Sequence, residues 1–280
     1  MPELPDVEAY VEALRRVAVG HVLERVRVAS PIILRTVDPP LAAVEGKRIT
    51  GVRRIGKRIV LELEGDLFLV VHLMIAGRFH WKPRGAAVPA RVGHAALDLD
   101  SGTLMLTEAN ATKRASLHLV CGAAALEPFA RGGIEPLDAD RDAFRDALMR
   151  ESHTLKRALT DPGIFSGIGN AYSDEILHTA KLSPFKLAAN LTDDEVSRLY
   201  SATQSILTDA VTRSVGQRAA TLKGEKRSGL QVHARSGLPC PVCGDTVRSV
   251  SFADRSFQYC PTCQTEGREL ADRRLSKLLK

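Results

Sequence analysis

Four cysteines near the C-terminal end constrain this chain more than any other feature. Cys240 and Cys243 make one C-x2-C pair and Cys260 and Cys263 a second, with sixteen residues between them in CPVCGDTVRSVSFADRSFQYCPTC. Two such knuckles can set four thiolates tetrahedrally around one Zn²⁺, each at about 2.3 Å. A redox site would use a single pair, and disulfides are not expected in a reducing compartment. With sulfur at all four positions no place is open for water, so the zinc is structural and does not catalyse. A module of about 40 residues cannot rely on its own core, so metal binding supplies much of its folding free energy. The residues between the pairs alternate in β-type fashion and predict a hairpin carrying Arg248 and Arg255. Solvent exposure is the plainer reading for Arg248. The fifth cysteine, Cys121, reads as an inert, partly buried thiol.

Charge narrows the class of partner. Thirty-nine Lys and Arg face 33 Asp and Glu, a net of +6 over 280 residues. Lys47, Arg48, Arg53, Arg54, Lys57 and Arg58 fall between Gly46 and Val60 with no acid among them, and a second basic run spans Arg213 to Arg235 with one acid, Glu225. Such clustering suits a polyanion, although each run alone could be a solvated face. No apolar run reaches the ~18–20 residues a bilayer requires. The first residues lack the basic flank and apolar stretch of a signal peptide. These features predict a soluble, cytoplasmic protein without membrane contact, and a monomer is expected.

The pattern of apolar residues divides the chain. A helix is expected from about Pro5 to Val19, because Val7, Val11, Leu14 and Val17 recur at helical spacing. Short β-rich segments follow over residues 20–125, with Ser101-Gly102 expected at a hairpin turn and SLHLV as one more strand; together they predict an antiparallel sandwich or barrel. After about Glu127 the texture turns helical. Thr192 and Glu195 form a capping-box pair, with Leu191 able to staple onto Val196. The fold class is α+β and multidomain: a helix plus β-sandwich domain over 1–127, a helical domain over 128–235, and a zinc module with a C-terminal tail over 236–280.

MPELPDVE at the start, GKRIVLEL in the sheet, FSGIGNAYSDEIL in the helical part and the four-cysteine hairpin occur in that order. This combination resembles the formamidopyrimidine-DNA glycosylase / endonuclease VIII family of base-excision-repair enzymes, along nearly the whole chain. The resemblance implies an N-terminal β-sandwich, a helix–two-turn–helix domain and a zinc finger, with double-stranded DNA carrying damaged bases or abasic sites in the cleft between the halves. It implies a bifunctional DNA glycosylase and AP lyase. Methionine is trimmed when the next residue is small, which would leave Pro2 with a free secondary amine. A terminal amine has a pKa near ~7.7–8.0, so part of it is unprotonated near neutrality. That amine can attack C1′ of the damaged nucleotide, displace the base and form an iminium. The iminium acidifies the C2′ proton and permits β- and then δ-elimination.

By the same resemblance Glu3 protonates the sugar ring oxygen, and its plain alternative is an exposed terminal carboxylate. Asp6 stands where many relatives carry Glu and takes a supporting catalytic role, or else complements the helix N-terminus. Lys57 matches the family's β-domain lysine, gripping a flanking phosphate near the reacting centre. Asn170, at the turn before a helix, and Arg255, five residues before Cys260, are implied to contact the same phosphate region; Asn170 could equally be a helix cap. Lys156 in TLKRALTD is a weaker phosphate contact. These grips offset the cost of flipping a nucleotide, a few kcal/mol.

Two segments depart from the family pattern. Relatives that excise oxidised purines often carry HLGMSG and DPRRFG, whose side chains fill the space left by the flipped base. Here the first reads HLMIAG, making Met74 and Ile75 offset candidates for the wedge; the second has no match, and TEANATKRASLHL offers Lys113 and Arg114 but no aromatic. GEKRSGL, between Thr221-Leu222-Lys223 and Gln231-Val232, is much shorter than the loop that covers 8-oxoguanine in many relatives. A short loop predicts broad use of oxidised pyrimidines, hydantoins and abasic sites. The competing reading is a zinc-dependent protein that binds damaged DNA without cutting it; only Pro2 and Glu3 separate the two. An RNA-binding zinc protein ranks below both, since aromatics make up only 5% of the chain and no stacking motif stands out.

Overall fold

The computed structural model describes residues 1–216, 229–252 and 255–271. It divides into two compact units, one of residues Met1–Arg131 with those from Arg213, the other of Gly132–Thr212 with the described residues from 229 onward.

In the first unit, α1 (Leu4–Ala18) buries Val7, Val11, Leu14 and Ala18 at the spacing that lines one helical face, with Tyr10 beside them. Pro5 sits in its first turn, where a missing N–H costs no hydrogen bond. Eight antiparallel strands follow: β1 (Val22–Val28), β2 (Lys47–Ile55), β3 (Arg58–Leu63), β4 (Leu67–His72), β5 (Gly77–Lys82), β6 (Gly93–Leu99), β7 (Gly102–Glu108) and β8 (Ser116–Cys121). Their order is β5-β7-β6-β1-β2-β3-β4-β8. At its middle the sheet is held by only two residue pairs, Val22 with Arg48 and Leu23 with Lys47. It therefore parts into two four-stranded leaves. Leu97, Leu104 and Leu106 from one leaf share a single core with Ile59, Leu61 and Leu69 from the other and with Val11 and Leu14 of α1. Of the two arrangements the strand pattern allowed, the chain adopts the sandwich. The β6–β7 turn is Asp100-Ser101 and not Ser101-Gly102, because Leu99 pairs with Gly102. Gly102 belongs to the strand, and a Cβ there would meet the Trp81 ring at 2.5 Å.

The second unit holds α2 (Arg141–Met149), α3 (Leu155–Thr160), α4 (Asn170–Thr179), α5 (Asp193–Ser214), the hairpin β9 (Arg248–Phe252) and β10 (Arg255–Tyr259), and α6 (Pro261–Thr265). The capping box expected at α5 is present: Thr192 N–H donates to Glu195 at 2.9 Å, and Glu195 N–H to Thr192 Oγ1 at 3.3 Å. Two consecutive carboxylates in α4 organise this unit. Glu175 is buried and accepts the backbone N–H groups of Gln231, Val232 and His233 at 2.7, 3.1 and 2.8 Å. Burial pushes its pKa up despite those three donors. Asp174, equally buried, accepts from Lys156 Nζ, from the Gln258 N–H at 3.2 Å, and lies 2.6 Å from His233 Nδ1. These bonds join α3, α4, segment 231–233 and β10.

Replacing Glu175 with alanine orphans three N–H groups, one buried and two partly buried, and a buried one costs about 1–3 kcal/mol when unsatisfied. Denaturant unfolding of Glu175→Ala should show a loss of about 1–3 kcal/mol or more. A loss under about 1 kcal/mol contradicts the role given to this carboxylate.

Candidate functional site

The first residues of the chain are not frayed. Met1 is 47% exposed, whereas Pro2 and Glu3 are buried, Glu3 to 4%. Glu3 is the extended N-cap of α1, and its N–H donates to Asp6 Oδ2 at 2.8 Å. The reciprocal contact, Glu3 carboxylate to the Asp6 N–H, completes a capping box. Asp6 thus acts on the backbone of Glu3, and its short side chain suits that bond. The structure brings Glu3 and Asp6 together and seats Pro2 one residue outside the helix.

Lys57 occupies a two-residue turn. Ile55 pairs with Arg58 across it, and Gly56 takes φ +59°, the conformation a type II′ turn needs at its first central position. Beside the turn, Arg58, His72 and Ser116 align across β3, β4 and β8. Burial pushes the His72 pKa down to about 4, with Arg58 and Lys57 adding repulsion, so the ring is neutral near pH 7. Its Nε2 is buried and has no hydrogen-bond partner among the described residues. Sequence reasoning did not single out His72; its place at a strand end, next in the fold to an acid-free basic run, was the available signal.

The connection between β4 and β5 carries both wedge candidates. Met74 has φ +52° and is half-buried, while Ile75 is 52% exposed. The left-handed backbone at Met74 is one that glycine adopts without strain. It leaves Ile75 as the more exposed of the two apolar side chains. The stretch bearing Lys113 and Arg114 is anchored by Glu108. Its buried carboxylate accepts the N–H groups of Arg114 and Ala115 and lies 3.0 Å from His94 Nε2; Lys113 Nζ reaches the Glu108 carbonyl.

In the second unit Gly169 is the N-cap of α4, and Asn170 is its first residue. Asn170 Nδ2 donates to the Ser256 carbonyl at 2.7 Å, which links the helix start to β10. Lys156 departs from expectation. It is only 9% exposed, and its ammonium donates to the Asn170 carbonyl at 2.8 Å, to Ser173 Oγ at 2.7 Å and to Asp174. Those three acceptors hold its ammonium, so in this structure Lys156 braces α4. Arg255 opens β10 opposite Phe252, next to the residue that Asn170 holds; its side chain lies outside the described residues. The same is true of residues 217–228, which include most of the short GEKRSGL stretch. Arg248 is exposed and pairs with Glu269 at 2.8 Å, as the plainer reading had it.

The sulfurs of Cys240, Cys243, Cys260 and Cys263 all lie within 4.8 Å of one another. Two of the separations are 3.9 Å (Cys240 to Cys263) and 3.3 Å (Cys243 to Cys260). Bonds of about 2.3 Å to a tetrahedral zinc give edges of about 3.8 Å, so the set fits one zinc. Burial pushes the Cys263 thiol up to about 11, and a bound cation is what would make it a thiolate. His178 Nε2 sits 3.3 Å from Cys240 Sγ. Burial lowers its pKa, leaving a neutral ring that can donate to the sulfur from behind the metal. The chain holds one structural zinc.

Known proteins agree with this geometry. The formamidopyrimidine-DNA glycosylase N-terminal domain matches residues 1–113, the formamidopyrimidine-DNA glycosylase H2TH domain residues 133–221, and the zinc finger found in FPG and IleRS residues 237–265. A Mycobacterium tuberculosis protein described as an uncharacterized formamidopyrimidine-DNA glycosylase-like protein is 62% identical over 148 residues, 53% of this chain and 94% of its own length. The formamidopyrimidine-DNA glycosylase of Heliobacterium modesticaldum is 35% identical over 277 residues, 94% of this chain and all of its own. The Lactococcus lactis Fpg, solved with DNA containing an abasic site, shares the fold with a TM-score of 0.85 at 26% identity, over 94% of this chain and 99% of that one. With three domains matched in order and a relative aligned along its whole length, the chain belongs to the formamidopyrimidine-DNA glycosylase family.

Proposed function

We propose that this chain is a base-excision-repair DNA glycosylase and AP lyase that removes oxidised bases through the nitrogen of Pro2. The carrying observation is the corner at the start of α1: Pro2 buried, Glu3 buried beside it, and the pair locked to the helix by Asp6. Capping α1 is a structural use for the Glu3 carboxylate, and a proton donor beside a processed Pro2 amine is the catalytic one. While Met1 is attached, the Pro2 nitrogen is an amide without a free lone pair; its exposed position suits removal by a peptidase.

The freed amine attacks C1′, and the bond from C1′ to the base breaks with its electron pair leaving on the base. Glu3 gives a proton to the sugar ring oxygen as the ring opens, and Pro2 becomes an iminium. Loss of the C2′ proton then expels the 3′ phosphate, and a second elimination expels the 5′ phosphate. Lys57, Asn170 and Arg255 serve to grip DNA phosphates, and Ile75 to fill the gap a flipped nucleotide leaves. Such grips make binding steeply salt-dependent. The similar Lactococcus lactis protein was solved with abasic-site DNA, which is the substrate of the lyase step. The short GEKRSGL stretch and the lack of an aromatic in TEANATKRAS support broad use of oxidised pyrimidines, hydantoins and abasic sites, with formamidopyrimidines accepted.

Borohydride should trap a covalent adduct between the processed protein and an abasic duplex, and Pro2→Gly should cut its yield at least about tenfold. Glu3→Gln should slow excision of an intact damaged base by about 10²-fold or more, and slow trapping on a preformed abasic site less. No adduct with the wild-type protein would favour a damaged-DNA binder without catalysis. Side by side, dihydrouracil should be excised faster than 8-oxoguanine opposite cytosine; the reverse order defeats the specificity argument. Cys260→Ser should lower the bound zinc well below one per chain and weaken DNA binding at least about tenfold, whereas full affinity without zinc contradicts a DNA role for the module.

A further inference from the structure

Helix α1 and the turn that carries Lys57 are joined through one guanidinium. Arg54, on β2, donates from Nε to Glu8 Oε1 at 2.7 Å and from Nη1 to the Gly56 carbonyl at 2.9 Å. Glu8 lies in α1, within two turns of Glu3 and Asp6. Gly56 is the residue before Lys57. The Arg54 side chain is 10% exposed and the Glu8 carboxylate 30%, so the pair is partly shielded from water and its charge-assisted bond is stronger than a surface one. The planar fork of arginine addresses two acceptors at fixed angles and spacing, a geometry that the single nitrogen of a lysine ammonium does not reproduce.

The rest of α1 does not need this bridge in order to dock. Its apolar face is buried, and Arg15 Nε holds the Val52 carbonyl at 2.9 Å farther along. The Arg54 bridge instead ends on the peptide that immediately precedes Lys57. We propose that Arg54, held by Glu8, is a positioning residue: it sets the Lys57 turn against the helix that presents Pro2 and Glu3. The inference rests on the roles given above to Pro2 and Lys57. Misplacing a catalytic group by about 1 Å can cost on the order of 10²-fold in rate, so loosening a turn by a fraction of that should be measurable.

The test is the single-turnover rate of borohydride-trappable adduct on an abasic duplex, with duplex affinity measured in parallel. Arg54→Lys and Glu8→Gln should each slow adduct formation by about tenfold while affinity stays within about twofold. In a Lys57→Ala background, Arg54→Lys should add less than about twofold, because the group it positions is gone. Arg16→Gln, which breaks an exposed pair with Glu12 on the same helix, serves as the control and should leave the rate unchanged. Equal slowing by Arg54→Lys with and without Lys57, or a wild-type rate in both Arg54→Lys and Glu8→Gln, overturns the proposal while leaving the Pro2 reading intact. Should Arg54→Lys not fold, Glu8→Gln alone and with Lys57→Ala decides by the same criterion. Absence of adduct from the wild-type protein overturns both.

Discussion

Everything proposed for this chain depends on one constraint at its beginning: the first turn of a helix is closed by a side chain while Pro2 and Glu3, just before it, are buried. Chain ends fray because nothing offsets the entropy of ordering them. Here Leu4 and Val7 are removed from water, and Asp6 satisfies the N–H of Glu3, a cap of the kind worth about 0.5–2 kcal/mol. The result is a chain start that is buried and capped from Pro2 onward. A nucleophile that must meet one carbon atom of a flipped sugar needs that order, and a lysine on a long stem would have to give up more freedom to achieve it.

The second unit solves a different problem. The zinc hairpin has only small apolar clusters, around Val247 and around Val250 and Tyr259, so polar bonds to a helix add to the Phe257–Phe185 contact in fixing its position. In α4, Asn170, Asp174, Glu175 and His178 each reach the module or the segment leading into it. Two of these are buried carboxylates, and burying charge is tolerated only where partners are complete. Lys156 supplies part of that completion to Asp174. The zinc ties the far side of the hairpin, so metal and helix together fix the strand on which Arg255 lies.

Features carried by local chemistry were legible in the sequence. The cysteine spacing gave the metal set, Thr192 and Glu195 marked the start of α5, and apolar periodicity located α1 to within a residue. Features that depend on who faces whom were not. Alternating strands fit a barrel as well as a sandwich; what decides is the two-pair junction between β1 and β2. A lysine in a basic context read as a phosphate contact, because nothing in TLKRALTD shows that three acceptors from α4 converge on it. Met74 and Ile75 were equal wedge candidates in the sequence, and only the left-handed backbone at Met74 shows that Ile75 is the exposed one. Asp174 and Glu175 were part of a recognised motif, yet their burial, and hence their work, is a tertiary fact.

The central claim is that the reacting nitrogen belongs to Pro2. Digesting the reduced protein–DNA adduct and locating the sugar remnant by mass spectrometry tests it most directly. The account predicts the remnant on the peptide that begins at Pro2, with Met1 absent. A remnant on an internal lysine, with the N-terminal peptide unmodified, would contradict it.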